Sequence, residues 1–166
     1  EKHRQSTRLQ EYGRLLNNQV YTIDIGTSPS DFSELKNTEI IVIDLAIPIS
    51  QAASLLKSFK GELFPDNISV IATIPASTSS NMISLTMNEL GALDPMIALT
   101  KLDECDITNA EFSSLATADA KIALFSASRS IVDSPIFASK DVLMQYLSEN
   151  LESRVQNVPI TGKLDS

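Results

Sequence analysis

Short runs of β-branched and other apolar residues recur along this chain at 20–25, 40–45, 68–74, 96–100 and 121–126, with segments of helical spacing between them. That alternation constrains the fold more than any other feature. Continuous apolar runs, as opposed to alternating ones, suit strands covered on both faces, and the intervening helices supply the cover. The expectation is a three-layer α/β domain, a mostly parallel sheet with helices on both faces. Leu9, Tyr12, Leu15 and Leu16 line one face of a first helix. Ala52, Leu55, Leu56 and Phe59 line a second, and Ile83, Met87 and Leu90 a third. Asp106 stands where an N-cap would, and Thr108-x-x-Glu111 has capping-box spacing, so a further helix starts there. Leu143, Tyr146, Leu147 and Leu151 form the last amphipathic face; residues 152–166, with Pro159 and Gly162, read as a polar tail.

Composition narrows the function. A chain of 166 residues with 43% hydrophobic content can bury one ordinary core. A net charge of −8 and a pI near 4.6 argue against nucleic acid or an anionic membrane as the main partner, since both call for a basic face. Lys2, Arg4, Arg8 and Arg14 give the first helix a basic side, the usual pattern of a solvated face. Cys105 is the only cysteine and His3 the only histidine, which removes disulfide frameworks, cysteine-based zinc sites and most Ser-His-Asp or Cys-His schemes. No apolar run approaches the ~18–20 residues of a membrane span.

Three places along the chain carry candidate chemistry. Thr100-Lys101-Leu102-Asp103-Glu104 follows the apolar run ending at Leu99, and parallel α/β sheets bind ligands at the carboxyl ends of their strands. An Asp there can accept two hydrogen bonds, from the ring N–H and the exocyclic amine of guanine, and adenine offers neither. The Lys two residues earlier can lay its aliphatic stem over the base. Asp44 ends the run Ile40-Ile41-Val42-Ile43, where nucleotide hydrolases keep a carboxylate that holds Mg²⁺ through water; an Asp at that place can equally cap a helix or close a turn. Ser126-Ala127-Ser128 follows the last apolar run, and small residues there either let the backbone approach a ligand or simply make a turn. Asp103 and Glu104 are neighbours that diverge, a poor acid–base pair, and Cys105 has no basic group beside it in sequence. A phosphate-binding loop, Gly-x-x-x-x-Gly-Lys-Ser/Thr, is absent: Gly162-Lys163 has Asn157 at the place of the first Gly and Leu164 after it.

In the order of these pieces the chain resembles the signal-recognition-particle class of GTPases, closest to its flagellar FlhF branch, over residues 3–150. Thr100-Lys101-Leu102-Asp103-Glu104 is similar to the family's guanine-specificity loop, Thr in the first position included. Leu9-Gln10-Glu11-Tyr12-Gly13-Arg14-Leu15-Leu16 is similar to the helix after its insertion-box motif, and Ile41-Val42-Ile43-Asp44 to the strand entering its Asp-Thr-Ala-Gly loop. Residues 126–134 resemble the closing loop that contacts the base. The departures concern the phosphates. Leu45-Ala46-Ile47 replaces Thr-Ala-Gly, Ser128 stands where Gly is usual, and Lys2 falls on the Arg position of the family's Asp-x-x-Arg motif.

The resemblance implies a partial GTPase-like domain over 1–151 lacking the phosphate-loop unit, with the tail after it. Guanine would be held by Thr100, Lys101, Asp103, Ser126 and Ser128, with Asp44 on Mg²⁺ through water and no catalytic residue. GTP or GDP with Mg²⁺ would bind weakly or not at all. The implied setting is flagellar placement or assembly in the bacterial cytoplasm, peripheral to the inner membrane, with a homodimer across the nucleotide face and a MinD-like ATPase as partner. The phosphate loop would precede residue 1. The rival reading is a pseudo-GTPase interaction module that keeps the fold and binds no nucleotide. Asp44, Asp103 and Ser126 are expected at one carboxyl edge of a five-stranded sheet.

Overall fold

A computed structural model describes residues 2–21, 40–62, 68–127 and 135–156. In chain order the elements are α1 (Lys2–Leu15), α2 (Ile49–Glu62), β1 (Ile71–Pro75), α3 (Ser80–Leu90), β2 (Met96–Thr100), α4 (Asn109–Thr117), β3 (Lys121–Phe125), β4 (Ile136–Phe137) and α5 (Lys140–Gln156). The sheet has the order β1-β2-β3-β4, with the first three strands parallel and β4 antiparallel to β3. This is an α/β fold built on a mostly parallel sheet. The crossover helices α3 and α4 pack against each other, and α2 packs on α3. No helix among the described residues is long and apolar enough to cross a membrane.

Burial ranks the strands. In β2 the three middle residues are buried, and Ile97 and Leu99 are fully so. That is the pattern of a central strand. Ala72 and Ile74 of β1 pair with Ile97 and Leu99 and share their core, which Ile83, Met87 and Leu90 close from α3 and Leu115 closes from α4. β1 itself alternates: Ile71 is 50% exposed. Along β2 and β3 the register slips after Ile97, so Ala123 is an extra residue. Its carbonyl accepts the Ala138 N–H at 2.8 Å, which draws β4 in beside β3. Tyr146 of α5 stacks on Phe125 at 6.1 Å between ring centroids and meets Phe112 of α4 at the same distance, fastening the last helix to the core.

The helix ends follow local chemistry. Thr108, not Asp106, is the N-cap of α4, and its N–H donates to Glu111 Oε2 at 2.5 Å in the capping box. α1 ends in a Schellman turn: Asn17 is left-handed at φ 54°, and the Asn18 N–H returns to the Gly13 carbonyl at 2.8 Å. The turn folds Val20 onto the bare α-carbon of Gly13, where a Cβ would overlap the Val20 side chain. Helix α5 continues past Leu151 to Gln156. The exposed pair Lys121–Asp94, 2.5 Å apart, contributes ~0–1 kcal/mol.

One expectation about strands fails, and another is described at only two of its six residues. Residues 40–46 form no strand, although Ile40-Ile41-Val42-Ile43 has strong β propensity. A strand exists only through its ladder, and this run meets no partner edge among the described residues. Of the run 20–25, Val20 and Tyr21 are not in a strand, and 22–25 lie outside the described residues. In the other direction, β4 went unanticipated because two residues carry no periodicity.

Candidate functional site at the carboxyl edge of the sheet

The site is built where β1, β2 and β3 end together. Backbone hydrogen bonds knit those ends: Ala76 N–H donates to the Thr100 carbonyl at 2.8 Å, and Ser126 N–H to the Leu99 carbonyl at 2.8 Å. Beyond Thr100 the chain turns sharply. Lys101 takes the left-handed conformation at φ 59°, and its carbonyl accepts the N–H of Glu104 at 3.0 Å and of Cys105 at 3.3 Å. Leu102 then turns inward, half-buried against the core. Its N–H donates to the Ser126 carbonyl at 3.2 Å, so the loop after β2 is fastened directly to the loop after β3.

Thr100, Lys101, Asp103 and Ser126 are therefore brought to one edge, as expected. Asp103 is exposed on that loop, and Ser126 is half-buried. The Lys101 ammonium lies 3.8 Å from Glu104 Oε2, with both side chains substantially exposed. Cys105 is a free, exposed thiol. Ser128 lies outside the described residues.

Asp44 does not take its expected place. The segment 40–46 is not in the sheet, so Asp44 ends no strand and is simply exposed. Among the described residues no group of three or more His, Cys, Asp and Glu side chains is gathered for a metal ion. Two recesses in the surface lie elsewhere, one beside the end of α1 lined by Gln10, Arg14, Asn18 and Val20, the other between β3 and the start of α5. Neither includes the loop after β2.

Reading the sequence missed two parts of this arrangement. Leu102 anchors the loop, and its signal was available: one large apolar residue in a polar pentapeptide. The left-handed turn at Lys101 had no signal, because Lys, unlike Gly or Asn, has no preference for it. What the geometry offers chemically is an exposed carboxylate and an ammonium on a turn held at a strand end. The fold and site define the class of protein as a mostly parallel α/β domain with a candidate ligand edge at its strand ends. No protein-family model matches the chain, and no curated protein sequence matches it.

Proposed function

We propose that the chain is the base-recognition part of a GTPase-like domain of the signal-recognition-particle type, nearest the FlhF flagellar branch, with degenerate phosphate chemistry. One observation carries this reading: Thr100-Lys101-Leu102-Asp103 sits at the carboxyl end of the most buried strand, and its Leu102 N–H is bonded to Ser126. A guanine-specificity loop and a closing loop have to adjoin in that way for one base to touch both. The same reading makes the chain a weak binder of GTP or GDP at best. The charge-assisted contacts and backbone donors that dominate nucleotide affinity have no counterpart in its sequence. Flagellar placement or assembly, peripheral attachment to the inner membrane, a homodimer across the nucleotide face and a MinD-like ATPase partner belong to this proposal through the resemblance alone.

Competition between GTP and ATP, with calorimetry in Mg²⁺, tests it. Guanine is expected to win. Asp103→Asn is expected to lose ~1–3 kcal/mol, about ten- to a hundredfold in affinity, because one of two acceptor oxygens becomes a donor facing a donor. Cys105→Ser is expected to bind as the wild type does. Equal binding by Asp103→Asn and wild type would reduce the loop to a surface turn. A sub-micromolar dissociation constant for GTP would refute the degenerate phosphate half.

A second reading, an interaction module that binds no nucleotide, is favoured by specific observations. Lys101 is engaged with Glu104, Asp44 stands at no strand end, and neither recess adjoins the loop. Absence of any heat with GTP, GDP or ATP at millimolar concentration is the outcome expected of it, and measurable binding that prefers guanine and depends on Asp103 would exclude it.

A further inference from the structure

β1 is the outermost strand of the sheet, and its far edge meets no strand among the described residues. Natural sheet edges are protected by charges, bulges or an interior proline, because an open edge is a template for another chain. β1 carries no charge, its only proline is the last residue, and no charged residue occurs anywhere from 67 to 88. Ile71 on this edge strand is 50% exposed.

The same chain carries a strand without a sheet. In Ile40-Ile41-Val42-Ile43 every residue is β-branched, Ile40 is 77% and Val42 89% exposed, and none is in a ladder. Ile43 is exposed as well and Ile41 half-buried, an unusual exposure of apolar surface in the composition most disposed to pair.

We infer that these two surfaces meet between two copies of this chain: residues 40–45 of one copy add as a strand to β1 of the other, and reciprocally. Each copy holds one donor run and one acceptor edge, so a two-fold exchange satisfies both at once. A peptide from an unrelated partner would cover the edge and leave the run exposed. Charge points to the same occupant. Copies with a net charge of −8 repel over most of their surface; the uncharged β1 edge and the Ile40–Ile43 part of the run, with Asp44 the one charge in residues 40–45, are where approach costs least. The interface is the edge of the sheet, not the loop after β2, and it stands whether or not that loop reads guanine.

The test uses the full chain. Light scattering during size-exclusion chromatography is expected to give the mass of two chains at tens of micromolar, and that of one chain for Val42→Lys, with unchanged circular dichroism. Two variants in a Cys105→Ser background, Val42→Cys and Thr73→Cys, are then mixed and treated with a short bis-maleimide. A cross-linked pair containing one of each supports the exchange. A wild-type mass of one chain, or a dimer that Val42→Lys leaves intact, would overturn it. So would cross-linking only inside single chains of the doubly substituted Val42→Cys, Thr73→Cys protein, which would mean that the run closes on its own β1.

Discussion

Lys101 is the residue whose conformation its own chemistry explains least. Among the described residues four non-glycine residues have positive φ, and three of them, Asn17, Asp94 and Asp119, are of the short polar types that tolerate the left-handed region. Lys101 is the fourth, at φ 59°, in the candidate site. An ordinary L-residue there costs ~1–2 kcal/mol, and glycine would recover this while losing ~0.5–1 kcal/mol through the freedom of the unfolded chain. Lys101→Gly is thus expected to leave the chain as stable as before, or up to about 1.5 kcal/mol more so, by urea titration. If Lys101 covers a base, the same variant loses guanine binding. Stability kept and affinity lost would mark a residue retained for its side chain at a conformational cost. The sequence could nominate Lys101 for its position after a strand, but its backbone angle came from the hydrogen bonds that Glu104 and Cys105 make to its carbonyl.

At the scale of elements, local rules held where the interactions are local. Thr108 and Glu111 cap α4 from three residues apart, which is why that helix start could be read from the text, with Asp106 a near alternative two residues early. Thr108→Ala is expected to cost about 1 kcal/mol, read as a lower thermal midpoint, and Thr108→Ser almost nothing. The strands β2 and β3 were legible as apolar runs, and both have partners. The run 40–45 was equally legible and forms no strand, because its composition supplies a propensity and only a neighbouring edge supplies the hydrogen bonds. β4 is the reverse case. Ile136 and Phe137 pair because the bulged Ala123 presents a carbonyl to the chain beside it, a circumstance more than ten positions away in sequence.

For the whole molecule, stability rests on one core strand and the helices over it. Leu99 and Ile97 are fully buried, in contact with side chains from β1, α3 and α4. Leu99→Ala is expected to cost ~2–5 kcal/mol, a large part of the ~5–15 kcal/mol that holds a domain of this size, and to appear as a lower urea midpoint or loss of cooperative unfolding. The carboxyl ends above Leu99 would loosen with it, since the Leu99 carbonyl accepts the Ser126 N–H.

The sequence by itself determined the α/β class, the helix faces, the capping box, and the meeting of Thr100, Lys101, Asp103 and Ser126 at one sheet edge. Each follows from periodicity, or from the rule that parallel strands joined by helices end together. The tertiary structure alone decided that Ile40-Ile41-Val42-Ile43 stays outside the sheet, that Asp44 therefore ends no strand, that Leu102 bridges to Ser126, and that Lys101 is left-handed. All four depend on which backbone groups find partners far away in sequence, and a donor or acceptor carries no mark in the sequence of the partner it will find.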